Sequence, residues 1–345
     1  MTKFNPKNER IKREYFRYLH EADGKSPATV EGIRKSILRF EQYNQLKDFS
    51  TFNHEQAIGF KKRMTENKNE RTGKPIGLST LCTTMSNLKD FFKWLCQKPG
   101  FKSKIRMSDA SYFNLTDKEN RAAKAKTLQK YPTLEQICKV VKAMPEHDDI
   151  AKRNRALVAF TILTGIRVQA IASLKIKHVD LEQKLVTQDP REVKTKFSKI
   201  IHTFFYPVGD DIQQIVTDWV KYLISEKLFG YDAPLFPKTI LMQDENLAFK
   251  PAGITPEHWT TASPIREIFK AAFQAVGLPY YKPHSFRHTL VHLMNRYCKD
   301  MEQVHAWSQN LGHDSPITTY TSYGHMEPQR QGEVIKSLIK TDVGA

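Results

Sequence analysis

Four short stretches of this chain hold side chains suited to attack on a phosphodiester: "TGIRVQAIASL", "VKTKFSK", "KPHSFRHTLVHLM" and "LGHDSPITTYTSYG". The first puts Arg167 in a turn between two apolar segments, and the second supplies Lys194, Lys196 and Lys199 in a strand-and-turn pattern. The third sets His284 and Arg287 three residues apart at a helix start, on one face. The fourth carries His313 and two tyrosines, Tyr320 and Tyr323. A phosphoryl transition state spreads negative charge over its non-bridging oxygens, and preorganised arginines neutralise it. The planar guanidinium fork suits a phosphate better than the point charge of a lysine. Tyrosine has a pKa of about 10, so ionising it at neutral pH costs roughly 4 kcal/mol. It therefore needs a base within hydrogen-bond reach, for which histidine is suited. A lysine on a loop can give the leaving sugar oxygen its proton.

Taken singly, each of these residues has an ordinary reading. An arginine next to a helix end answers the helix dipole, and a lone tyrosine is core filler. His284, His288 and His292 share a helical face, a spacing that also binds zinc. No carboxylate or cysteine ligand stands near them and an arginine lies among them, so neither a metal nor a cofactor is expected, and His288 and His292 read as core or supporting groups. Cys82, Cys96, Cys138 and Cys298 are scattered without a C-x-x-C pair, which predicts buried free thiols. The functional reading rests on the combination.

The elements that must position these residues fall into two regions. "ERIKREYFRYL" reads as a helix, and Ser26-Pro27 is an N-cap with proline at the first helical position, opening a helix in which Val30, Ile33, Ile37, Leu38 and Phe40 form an apolar stripe. Asn53 with Gln56 three residues later resembles a capping box, Gly73 and Pro75 mark a loop, and Ser79 is expected to cap the helix of Leu81, Met85, Leu88, Phe92 and Leu95. From about Pro99 to Lys130 periodicity fades and basic residues gather: Lys102, Lys104, Arg106, Arg121, Lys124, Lys126 and Lys130. The second region opens at Thr133, with Gln136 three later. An apolar helix stops at Gly165, two or three short strands follow in "KLVTQDPREVKTKFSKIIHTFFYPV", the stretch from Phe229 to Thr261 looks irregular, and helices return from "PIREIFKAAFQAVG". The organisation expected is a helical DNA-binding domain over 1–110, a basic linker over 111–130, and an α+β domain over 131–345 ending in a helix: mainly α with a small β-sheet.

Charge points the same way. Lys and Arg number 54 against 37 Asp and Glu, a formal net charge of +17 and a pI near 9.5. A fold has no need of that excess, which predicts a polyanionic partner bound in a salt-dependent way, most simply nucleic acid. No apolar run is long enough to cross a bilayer and the N-terminal residues lack an apolar signal region, so no membrane association and a cytoplasmic location are expected.

In this order, "TGIRVQAIASL", "HSFRHT" and "LGHDSPITTYTSYG" resemble the three motif boxes of the tyrosine recombinases, the phage integrase family. The resemblance covers the chain by motif from about Tyr131 onward and the N-terminal region by architecture only. It implies a two-domain DNA clamp, made of a helical core-binding domain and a catalytic domain, and a site-specific recombinase or integrase of a mobile element that forms a 3′-phosphotyrosyl intermediate without metal or ATP. Arg167 and Arg287 would hold the scissile phosphate, His284 would assist deprotonation of the tyrosine, and His313 would bond a phosphate oxygen. The hairpin lysine would be Lys196, with Lys194 as the alternative. The commonest family spacing puts the nucleophile at Ser322; Tyr323 lies one residue later and Tyr320 two earlier, so Tyr323 is preferred and Tyr320 kept as the alternative. The family further implies double-stranded DNA as partner and a homotetramer on paired sites, with a monomer when free. The C-terminal helix could be passed to a neighbour. A type IB topoisomerase-like strand transferase and a catalytically degenerate DNA-binding regulator are the competing readings.

Overall fold

The computed structural model describes residues 4–67, 73–124, 129–195, 199–243, 247–323 and 328–339. The chain divides into two compact units, Met1–Thr127 and Leu128–Ala345.

The first unit is helical: α1 (Pro6–Glu21), α2 (Pro27–Tyr43), α3 (His54–Glu66), α4 (Leu78–Leu95) and α5 (Asp117–Lys124). Ser26 caps α2 by accepting from the Thr29 amide, with Pro27 at the first helical position as expected. Ile33, Ile37 and Phe40 of α2 face the core while Leu38 points to solvent. Phe40, Phe52, Phe92 and Phe113 form the centre of that core, the Phe52 and Phe92 rings stacking at 3.6 Å between centroids. Two capping expectations are corrected. Asn53 accepts from the Gln56 amide, but Gln56 Oε1 is buried with no partner, so only half of a capping box forms. The cap of α4 is Gly77, not Ser79, and it makes no side-chain bond.

The segment expected as linker is folded through residue 124. Ile105, Ala110 and Phe113 are buried in the first unit's core, and Lys61 binds the carbonyls of Tyr112 and Asn114 at 3.1 and 2.9 Å. Its basic residues leave the period unreadable in sequence, because the buried positions are widely spaced among exposed lysines and arginines.

The second unit opens with α6 (Leu134–Ala143), begun by a full capping box between Thr133 and Gln136, and α7 (Asp149–Thr164), in which Ala151, Arg153 and every residue from Ala156 to Thr164 are buried. After the short α8 (Val168–Ile171) comes an antiparallel sheet of β1 (Val179–Asp180), β2 (Leu185–Gln188) and β3 (Ile201–Phe204), in that order, with Val186 opposite Thr203. Then follow α9 (Asp210–Ser225), β4 (Lys238–Gln243), β5 (Phe249–Thr255), α10 (Ser263–Ala275), α11 (Phe286–Tyr297), α12 (Met301–Asn310), α13 (Pro316–Tyr323) and α14 (Pro328–Ile339).

The β4–β5 hairpin corrects the reading of Phe229 to Thr261 as irregular. Most of its residues are exposed, so no inside–outside alternation marks it, and Pro251 and Gly253 interrupt the second strand. Arg153 of α7 fastens its base, donating at 2.9 Å to both the Pro237 carbonyl and the Thr239 hydroxyl beneath the Trp259 ring. Burial brings this guanidinium down to about 10.

Candidate active site

Gly165 is where the site begins. It ends α7 in the left-handed conformation, φ +62°, and a Cβ there would lie 2.7 Å from Leu290 Cδ1 and 3.0 Å from Leu311 Cδ2. The turn exposes the Gly165 carbonyl to Arg287 and delivers Arg167 two residues later as the cap of α8.

Arg287 is buried in the first turn of α11, and four contacts fix its guanidinium. Nη1 donates to the Gly165 carbonyl and Nη2 to the Leu311 carbonyl, each at 2.6 Å; Nη2 also lies 2.9 Å from His313 Nε2, and Nε donates to the Tyr323 hydroxyl at 3.1 Å. Arg167 lies close enough to the same hydroxyl for the two to influence one another electrostatically. Burial first, and then the charge of Arg287, bring Arg167 down to about 10, with the Tyr323 hydroxyl acting in the opposite direction. Among the described residues neither arginine pairs with a carboxylate. Two desolvated cations beside one another, lacking an anion, form a seat for one.

Tyr323 is the last residue of α13 and packs against the second unit's core, whereas Tyr320 is 41% exposed. The Tyr323 oxygen lies 3.3 Å from Nε2 of His284, which sits exposed in the turn just before α11. A hydroxyl that accepts from a guanidinium can donate only away from it, which leaves its hydrogen free to face the imidazole. The His313 ring stacks on Tyr323 at 5.5 Å between centroids, and the His288 ring meets it edge-on at 4.8 Å.

His313 is buried at the end of a glycine turn whose Gly312, φ +72°, would put a Cβ 3.0 Å from Ile201 Cδ1 of β3. The sheet is tied to this turn by Asn310, whose carboxamide accepts from the Phe204 amide at 2.6 Å and donates to the Phe204 carbonyl at 2.9 Å. On the other side, His313 Nδ1 lies 2.7 Å from the Thr319 hydroxyl.

Arg167, His284, Arg287, His313 and Tyr323, foreseen in the sequence, thus meet around one hydroxyl. Lys196, together with the two residues after it, and Lys126 lie outside the described residues. Lys194 is exposed, its amide held by the Ser173 hydroxyl at 2.9 Å; Lys199 pairs with Asp314, next to His313. Lys102, Lys104 and Arg106 follow α4 and Arg121 lies on α5, all exposed on the first unit; α5 ends at Lys124. Sequence reasoning missed the carbonyls of Gly165 and Leu311, and the contacts of Thr319 and His288. Only the glycine left a trace, since a helix stop also frees a carbonyl.

The phage integrase family model matches residues 130–330. A tyrosine recombinase XerC from Lactobacillus delbrueckii subsp. bulgaricus is 23% identical over 321 residues, covering 92% of this chain and 95% of the relative. A XerC from Thermodesulfovibrio yellowstonii is 25% identical over 264 residues, 74% of each chain. Among solved structures, XerH recombinase in a post-cleavage complex with palindromic difH substrate superposes with a TM-score of 0.61 at 17% identity, over 94% of this chain and 82% of that one. A lambda integrase dimer bound to a COC′ core site gives 0.59 at 15%, over 91% and 94%. The chain belongs to the phage integrase family, the tyrosine recombinases, whose reaction is site-specific cleavage and rejoining of DNA.

Proposed function

We propose that this recombinase cuts duplex DNA with Tyr323, forms a 3′-phosphotyrosyl link, and serves the integration or excision of a mobile element. The observation that carries the reading is the Tyr323 hydroxyl held between Arg287 Nε and His284 Nε2, beside the half-buried Arg167. The scissile phosphate would take the seat of Arg167 and Arg287, releasing Nε or Nη2 of Arg287 towards the non-bridging oxygens. His284 draws the phenolic hydrogen as the oxygen attacks phosphorus, and the adjacent guanidinium charge lowers the cost of the developing phenolate. His313 then bonds a phosphate oxygen. Lys196, or else Lys194, gives the leaving 5′-oxygen its proton. The new phosphodiester to tyrosine conserves the bond energy, so a second 5′-hydroxyl can reverse the step without ATP.

DNA is the partner, and Lys102, Lys104, Arg106, Arg121, Lys124 and Lys126 supply part of the charge that meets its backbone. Two sites joined by four copies are the assembly proposed, from a monomer in free solution. The excess of 17 positive charges supports the polyanionic partner.

The test is a duplex that the protein itself selects from a random-sequence pool, nicked beside the cleaved position so that the freed end diffuses away. A protein–DNA band that survives detergent and carries the label of the strand's 3′-phosphate side is expected. Binding without that band would leave a DNA-binding regulator and overturn the proposal. Relaxation of supercoiled plasmid by a monomer, with no joining of two sites, would replace recombination with a topoisomerase reaction.

A further inference from the structure

We infer that Thr319 is a positioning residue that carries His313 between two ring tautomers, one for the DNA-free site and one for the occupied site. The occupied half of this inference rests on the function proposed above; the free half stands on the hydrogen-bond chain alone.

A guanidinium only donates, so the 2.9 Å contact from Arg287 Nη2 requires His313 Nε2 to accept. The neutral ring then holds its hydrogen on Nδ1, which donates to Thr319 Oγ1 at 2.7 Å. The Thr319 hydroxyl in turn faces Ser308 Oγ at 2.7 Å, and Ser308 faces the Ser315 carbonyl at 3.3 Å. The chain has one direction throughout: imidazole to Thr319, Thr319 to Ser308, Ser308 to the main chain. Thr319 and Ser308 are fully buried, which gives each bond in the chain weight.

A phosphate oxygen accepts and cannot donate. For Nε2 to bond one, the hydrogen must reside on Nε2, leaving Nδ1 bare and in need of a donor. A hydroxyl can reverse where an amide or carbonyl cannot. Thr319 turns its hydrogen to Nδ1 and accepts from Ser308, which gives up the Ser315 carbonyl. The proton count is equal in the two states, since the ring loses one hydrogen to water and regains one from it. Thr319 also lies four residues before Tyr323 on α13, so the hydroxyl that answers the ring belongs to the helix that carries the nucleophile.

The test is long-range 15N–1H NMR on protein labelled at histidine, free and with the selected duplex. Expected is a His313 hydrogen on Nδ1 in the free protein and on Nε2, with Nδ1 bare, in the complex. Thr319→Val should lose the switch and cleave about tenfold more slowly, the size of one lost hydrogen bond. Thr319→Ser should keep the switch and cleave within about twofold of the parent. Ser308→Ala, which spares Thr319 itself, should fall between them. A melting temperature for each variant shows whether it folds. The inference is overturned by an Nε2 hydrogen in the free protein, by an Nδ1 hydrogen that persists in the complex, or by a serine variant as slow as the valine one. If no covalent adduct forms in the parent protein, the proposed reaction fails instead, and the free-state ring signal still judges the chain of hydroxyls.

Discussion

Arg287 holds the Tyr323 hydroxyl through Nε at 3.1 Å while its two terminal nitrogens are bound to the carbonyls of Gly165 and Leu311. One side chain thereby links the end of α7, the turn before His313 and the end of α13. Its guanidinium sets the nucleophile's orientation as well as its charge environment. Arg287→Lys keeps the charge but gathers its donors on one nitrogen, which cannot span the contacts that Nε, Nη1 and Nη2 make from the planar fork. Adduct formation should fall by about 10² to 10³, the range for removing one preorganised donor to a developing anion. Single-turnover rates on the nicked duplex measure this, and a loss below about threefold would show that charge alone suffices.

The two tyrosines of α13 should separate completely. Tyr320 is 41% exposed, whereas Tyr323 lies among Arg287, His284 and His313. Tyr323→Phe keeps the ring packing and removes the oxygen, so adduct should drop to background with DNA binding retained. Tyr320→Phe should cleave within about twofold of the parent. An adduct from the Tyr323→Phe protein would move the nucleophile elsewhere.

Gly165→Ala tests the turn from which the arginines are hung. At φ +62° a Cβ is strained, and it would stand 2.7 Å from Leu290 Cδ1 and 3.0 Å from Leu311 Cδ2, both buried core side chains. The expected loss of stability is about 2–4 kcal/mol, combining the backbone strain with overpacking. Urea unfolding of the parent and variant gives the number. Cleavage should decline beyond what stability explains, since Arg287 takes its place from the Gly165 carbonyl.

How far the sequence reaches is clear from particular residues. Arg167, His284, Arg287 and His313 stood out because each puts charge or polarity where packing asks for none, whereas Tyr323 was separated from Tyr320 only by the spacing that the family resemblance implies. The helix stop at Gly165 and the caps at Ser26 and Thr133 were legible because caps are local. Thr319 was not, for a buried threonine on a short helix has the same appearance whether or not its hydroxyl meets an imidazole. The β4–β5 hairpin was missed for lack of alternation, and the cap of α4 because Ser79 and Gly77 are both plausible ahead of the same apolar run.

His288 gives a pH dependence of stability. It stands half-buried, one turn beyond His284, with its ring against Tyr131 and Tyr323. Burial pushes it below the ordinary histidine value and the charge of Arg287 adds to this, while a bond with the Tyr323 main chain opposes both. A histidine kept neutral in the fold takes up its proton first in the unfolded chain, so stability is full above the unfolded value near 6.5 and falls as pH drops through the window below it. His258 is lowered too, again chiefly by burial, and contributes in the same window. The melting temperature should therefore fall between about pH 7.5 and about pH 5.5. His288→Gln, which has no charge to gain, should show a smaller fall, with the remainder carried in part by His258. Thermal melts of the two proteins at both pH values make the comparison. Equal falls would mean that His288 titrates alike in the folded and unfolded chain, and its contact with the tyrosine helix would then have no electrostatic consequence.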